Sequence, residues 1–210
     1  MTERPKVFGI GLNKTGTKTL NKCLTVLGYT PISCTPDLLK LYRDGNLQPI
    51  FAEIDGADSC EDWPYPLMFR ELFFRYGDRA RYVLTTRISS SIWLDSLKRH
   101  SLRTDPNTHC RLLAYGYTYS HGLEKQHIDI YERHNREVRA FFQDHNAKHV
   151  LLEVCWENGH GWKALCDFLG RGEPKEPFPH ANSGSTQKPG AVEEENRRRI
   201  RQQIGLLNPG

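Results

Sequence analysis

The stretch "KVFGIGLNKTGTKTL", Lys6 to Leu20, constrains this chain more than any other part of it. An apolar run, Val7–Ile10, leads into two glycines, a lysine and three threonines, and a helical pattern follows. A strand that turns through glycines into a helix N-terminus presents successive backbone N–H groups to one anion, where the helix dipole adds positive potential. Gly11 and Gly16 allow the unusual backbone angles, and Thr15, Thr17 and Thr19 bring hydroxyls. The common nucleotide loop, G-x-x-x-x-G-K-[ST], has its lysine directly after the last glycine. Here Thr17 follows Gly16, and the preceding lysine is Lys14. An ammonium in the middle of the loop reaches a different part of the ligand.

The remaining pattern alternates strands and helices. Thr17–Leu27 reads as a helix ended by Gly28. Ile50–Ile54 reads as a second strand, and Pro64–Tyr76 has helical spacing with its prolines at the start. "RYVLTTR", Arg81–Arg87, is the clearest strand, and Ser89, Ser90 and Ser91 offer a cap for the helix that follows. Leu123–Gln143 predicts a long charged helix, Val150–Val154 a strand, and Gly161–Leu169 a helix. A Pro/Gly/Ser-rich loop then precedes a charged helix, 193–203, whose acidic and basic residues pair at i,i+3 and i,i+4. Such alternation implies an α/β fold with a central parallel sheet flanked by helices, and ligands at the carboxyl ends of its strands. Three loops meet on that edge: Gly11–Thr17, Glu53–Asp62 and Arg87–Ser91.

Composition narrows the partners. A chain of 210 residues with 38% apolar content can bury a sizeable core as one domain. Its net charge of +4 suits a small anion, and no basic stripe with interleaved aromatics suggests nucleic acid. No apolar run reaches the roughly 20 residues of a membrane span. The six cysteines, without C-x-x-C pairs or metal-ligand spacing with histidine, read as free core thiols in a reducing cytoplasm; no metal is expected. Oligomeric state is not legible.

"GLNKTGTKTL" resembles the 5′-phosphosulfate loop, K-x-G-T, of the sulfotransferases that use 3′-phosphoadenosine-5′-phosphosulfate (PAPS). "DWPYPLMFREL", "RYVLTTR…SIWLDSLKRH" and "LLEVCWENGHGWKALCDFLGRGEPKEPFPHAN" resemble further segments of a small bacterial-type branch of that superfamily, so the likeness spans most of 6–182. It implies a P-loop-type three-layer α/β fold, a single sulfotransferase-like domain over 1–210, PAPS as donor, 3′,5′-ADP (PAP) as product, and a small-molecule hydroxyl or amine acceptor. On this reading Lys14 contacts the bridging oxygen of the phosphosulfate. Asn13, Thr15, Gly16, Thr17, Lys18 and Thr19 hold the 5′-phosphate, while Arg87 and a serine hold the 3′-phosphate. The family's serine lies eight residues after the arginine, where this chain has Asp95; Ser96, one later, takes its place, and Ser89, Ser90 or Ser91 in "ISSS" shares the 3′-phosphate contact.

Sulfuryl transfer needs alignment, charge stabilisation on the leaving oxygen and a base for the acceptor proton. Asp62 in "DWP" and Glu53 at a strand end are the candidate bases, ahead of Asp58, His100 and His121. The plain alternative for Asp62 is an N-cap of the Pro64 helix. His180 reads as a loop-fixing residue. Acceptor contacts are expected from 35–46 and 103–122, with Leu38, Leu41, Tyr42, Tyr115, Tyr117 and Tyr119 as lining or core. Two other functions fit the loop: a nucleotide kinase or hydrolase, which the lysine order disfavours, and a catalytically silent nucleotide-binding homologue, which the altered "RISSS" allows.

Overall fold

The structure, a computed structural model, describes residues 4–33, 35–105, 107, 110–179 and 190–207. In chain order the elements are β1 (Lys6–Gly9), α1 (Thr17–Val26), β2 (Pro31–Ile32), α2 (Pro36–Arg43), α3 (Leu47–Asp55), β3 (Ser59–Cys60), α4 (Phe69–Tyr76), β4 (Ala80–Thr85), α5 (Ser90–Arg103), α6 (Arg111–Tyr115), α7 (Glu124–Asp144), β5 (Leu151–Val154), α8 (Trp162–Leu169) and α9 (Ala191–Leu207). The five strands form one sheet in the order β2-β3-β1-β4-β5, every pair parallel.

Strand periodicity builds the two faces. Val7, Val83 and Val154 point to one side, where they bury against Leu20, Leu24 of α1 and Leu165 of α8. Phe8, Tyr82 and Leu84 point to the other, against Leu72 of α4 and Val138 and Phe142 of α7. This makes helix–sheet–helix layers. A third cluster lies around the loop after β1: Leu12, Leu39, Trp63, Trp93, Leu97, Tyr115 and Tyr131. The parallel chain reverses its winding beside β1, since β3 and β4 flank it, and a crevice opens at such a switch point on the carboxyl edge.

One strand assignment from sequence is overturned. Ile50–Ile54 lies inside helix α3. The run PIFAEI looks extended by itself, but Leu47, Ile50, Phe51 and Ile54 follow the i, i+3, i+4, i+7 pattern, with Pro49 in the tolerated first turn. The strand that enters the sheet is the two-residue β3, too short to show a period. The helix expected from Pro64 begins later, at Phe69, because 62–68 forms successive i→i+3 turns (Tyr65 N to Asp62 O 3.0 Å, Leu67 N to Pro64 O 2.9 Å). The five described cysteines other than Cys34 are free and buried. Among the described residues no helix is long and apolar enough to cross a membrane.

Candidate active site on the carboxyl edge of the sheet

The loop after β1 is fixed from every side. A Cβ at Gly11 would lie 2.3 Å from the Thr85 carbonyl oxygen, so only glycine lets β4 close against the loop. Gly16 has φ 101°, and a Cβ there would strike the Trp156 indole, whose Nε1 donates to Gly16 O at 3.2 Å. Thr15 turns its hydroxyl inward, to Leu12 O at 2.5 Å and to Thr85 Oγ1 at 2.6 Å. Asn13 is buried; its carbonyl accepts from Trp93 Nε1 at 2.9 Å and its Oδ1 from the Tyr115 hydroxyl. His134 of α7 donates from Nε2 to Ile10 O at 2.8 Å, and burial pushes its pKa down to about 4, keeping it neutral. Asn13 and the Thr15 hydroxyl therefore brace the loop.

What faces outward is cationic. Lys14 has φ 68°, and its ammonium has no hydrogen-bond partner among the described residues. Burial and the nearby Lys18 lower its pKa, Asp62 opposes them, and Arg87 and Arg99 add to the lowering. Lys18, Arg87 and Arg99 thus lie near enough to Lys14 to act on its charge. No side chain caps α1, so the first-turn amides of Gly16, Thr17 and Lys18 point to that edge without helical acceptors. Thr17 and Thr19 are buried and Lys18 is exposed.

The carboxylates sit opposite. Asp62, with φ 68°, follows Glu61 directly at the end of β3, and its Oδ1 accepts from the Trp63 amide at 3.0 Å. It does not cap α4, whose cap position is Met68. Burial, then the adjacent Glu61, pushes the Asp62 pKa up to about 7, against the pull of Lys14 and Lys18. Glu61 is buried and held by Asn21 Nδ2 at 3.1 Å; its Cβ packs where a side chain on Gly9 would stand. Glu53, by contrast, is exposed on α3, and the C-terminal carbonyls of that helix reach Lys6 at the start of β1, the opposite edge of the sheet. Its expected place at a strand end is taken by Glu61. Asp58 is likewise a brace on that far edge, bonding Thr30 N and Arg4.

The Arg87 guanidinium is already engaged. Nε and Nη2 form a fork with Glu157, and Nη1 donates to Lys14 O at 3.1 Å. It ties the turn after β5 to the loop. Ser89 caps α5, accepting from Ile92 N at 3.2 Å; Ser90 donates to Glu132, and the exposed Ser91 reaches only Ser89 Oγ. Ser96 is half-buried one turn before Arg99, and Asp95 is exposed. Between α7 and the ends of β4 and β5 lies a polar cleft of about 710 Å³, lined by Arg87, Ile88, Ser90, Asn135, Arg136 and His160.

Of the aromatic residues expected to line an acceptor pocket, Tyr42, Tyr115 and Tyr119 spend their hydroxyls on Leu67 O, Asn13 and Asn196, and only Tyr117 is substantially exposed. His121 has its pKa lowered, chiefly by burial. His180 lies outside the described residues. Sequence reading missed Glu61, Arg99, Trp156 and Glu157. The signal for Glu61 was the acidic doublet before "WP"; the others needed the third dimension.

A parallel α/β sheet with a glycine-rich loop at its switch point, and with a lysine and a carboxylate near that loop, places a candidate ligand site on the carboxyl edge. The chain belongs to the sulfotransferase family: the family model described as sulfotransferase domain matches residues 6–187. It is also similar to the "Ava biosynthesis cluster protein M" of Aspergillus versicolor, 27% identical over 215 residues, covering 83% of this chain and 80% of that protein. Sulfotransfer is thus the general activity of the family to which the fold belongs.

Proposed function

We propose that this protein moves a sulfuryl group from PAPS to a hydroxyl or amine of a small molecule. The observation that carries the reading is Lys14: an ammonium with no hydrogen-bond partner among the described residues, in the middle of a loop whose Asn13 and Thr15 side chains are braced, beside an uncapped helix N-terminus. The residues fit the donor. The α1 amides and Lys18 suit its 5′-phosphate, Arg99 and Ser96 add positive and hydroxyl groups on α5, and the 710 Å³ cleft beyond Arg87 has room for the nucleoside end. When bound, PAPS supplies an activated sulfuryl group on a phosphate leaving group.

This chain's residues then do three things. Lys14 stabilises negative charge at the bridging oxygen as the S–O bond opens. The helix terminus fixes the 5′-phosphate so that the reacting centres stay in line. Asp62, ionised through half its population near neutral pH, takes the acceptor proton. Glu53 is not proposed as a base, given its place on the opposite edge.

A thermal-shift panel of 3′,5′-ADP, 5′-ADP, ATP with Mg²⁺, and sulfate tests the reading. A ligand at 100 times its Kd adds about 2.7 kcal/mol. 3′,5′-ADP should give the largest shift at equal concentration. A larger shift with Mg²⁺-ATP would favour the kinase reading instead.

A further inference from the structure

A donor of the PAPS kind differs from 5′-ADP or ATP by a phosphate where they carry a 3′-hydroxyl, and the Arg87 guanidinium, spent on Glu157 and Lys14 O, is not free to read that difference. Arg87 also lines the 710 Å³ cleft, so the loop and the cleft adjoin across one side chain. Most charges of the cleft are already matched. Arg139 forms a fork with Glu153 (2.7 and 2.6 Å), and Glu132 accepts from Ser90 Oγ at 2.8 Å. Arg136 of α7 is the exception. It is exposed, lines the cleft, and makes no hydrogen bond or ion pair among the described residues. His160, in the turn after β5, lines the same cleft. Its Nδ1 accepts from the Cys155 amide at 2.9 Å, so the ring proton lies on Nε2, which has no partner among the described residues. Asn135, beside Arg136 in the chain, also lines the cleft; it is 4% exposed, and its Oδ1 has no hydrogen-bond partner among the described residues. A buried acceptor left unpaired is costly, and a ligand donor relieves it.

We infer that the cleft recognises a phosphate monoester with a neighbouring hydroxyl, and that Arg136 is the residue that selects the phosphate. On the reading of PAPS as donor, on which this rests, the two groups are the 3′-phosphate and the 2′-hydroxyl of its ribose. A guanidinium offers parallel N–H donors that match two phosphate oxygens, and the His160 Nε2–H offers one more. The adjacent hydroxyl supplies the donor that Asn135 Oδ1 lacks. A phosphate monoester carries about −1.5 to −2 charge at pH 7, so an unmatched cation is worth more to it than to a neutral hydroxyl at the same place. Glu132 is the opposing charge. It stands one turn before Arg136 and also lines the cleft, so the preference for phosphate is the balance of these two side chains.

The test is calorimetric titration of the full chain with 3′,5′-ADP and with 5′-ADP. Arg136→Ala should lose about 10-fold or more in affinity for 3′,5′-ADP and change little for 5′-ADP. Glu132→Gln keeps an acceptor for Ser90 and removes the charge, so it should tighten 3′,5′-ADP and leave 5′-ADP as it was. Arg133→Ala removes an equal charge from α7 outside the cleft and should alter neither ligand. The three side chains are exposed, so the variants should keep the wild-type melting temperature. A preference for 3′,5′-ADP that survives in Arg136→Ala, or an equal loss for both nucleotides, overturns the inference and leaves the donor reading in place. A wild type that binds the two nucleotides alike overturns both.

Discussion

At the residue scale, function concentrates in side chains that the structure leaves without internal work. Asn13, Thr15 and His134 hold the loop; Lys14 does not, and its lowered proton affinity records repulsion by Lys18, Arg87 and Arg99 together with burial. Lys14→Ala should therefore fold normally and lose roughly 10²–10³-fold in kcat, with a smaller effect on donor affinity. Steady-state kinetics at saturating donor check this, and near-normal kcat would remove Lys14 from the chemistry. Arg87 leads to a different expectation from the one its sequence position suggests. An arginine at the end of the best strand reads as a selector of the 3′-phosphate, but here Glu157 and the Lys14 carbonyl occupy the guanidinium. Arg87→Ala should weaken 3′,5′-ADP and 5′-ADP by similar factors, because it loosens the loop that binds both. Calorimetry with the two ligands decides it: a loss confined to 3′,5′-ADP would restore the selector role. The loop itself was legible because glycine, lysine and threonine spacing is local. The Arg87–Glu157 fork spans 70 residues, and no local pattern announces it.

At the element scale, α7 and α9 hold the edge on which these residues stand. His134 of α7 bonds the end of β1 only as a neutral donor, and burial holds its pKa at about 4, below the roughly 6.5 of an exposed histidine. The folded pKa is depressed, so the unfolded chain binds the extra proton first. The contribution is complete above about pH 6.5 and is lost as pH falls toward 4, at most about 3 kcal/mol. Urea midpoints across that window should fall less steeply for His134→Gln than for the wild type. α9 lies wholly beyond the segment matched by the family model, yet it is built in: Asn196 is fully buried and bonds Tyr119 Oη, Leu102 O and Thr104 O, while Gln203 bonds Tyr119 O and His121 O. It staples the loop before α7 to α5. Asn196→Ala should cost about 1–3 kcal/mol by thermal or urea melting, since three partners are left unpaired; a change below 0.5 kcal/mol would mean the staple is superficial. The elements show where local pattern suffices. β1, β4, β5, α5, α7 and α8 were readable from period and caps. β3 was not, since two residues carry no period, and α3 was misread because a window of five residues hides a helical repeat.

At the scale of the whole molecule, charge is sorted by edge. The net charge of +4 is small, but Lys14, Lys18, Arg87 and Arg99 lie toward the carboxyl edge, with Glu61 and Asp62 at the end of β3 beside them. On the proposed function, that separation serves an anionic donor on the cationic side and a base for the acceptor proton on the other. It also bears on metal dependence. A transferred sulfuryl group carries less negative charge than a γ-phosphoryl, so the cations already on the edge can meet the demand that Mg²⁺ meets in phosphoryl transfer. The corner carboxylates are poorly placed to recruit a divalent ion: Glu61 is engaged by Asn21, and Asp62 faces two ammoniums. Initial rates of sulfuryl transfer should therefore survive dialysis against EDTA with most of their value, and added Mg²⁺ should change them less than twofold. Salt should matter more, because exposed Lys18 and the edge field act through solvent: the apparent KM for the donor should rise several-fold between 0.05 and 0.5 M NaCl, with kcat nearly constant. A strict Mg²⁺ requirement, accompanied by phosphate release from ATP, would place this edge with the kinases, and an invariant KM across salt would deny the cation cluster its part in drawing the donor in.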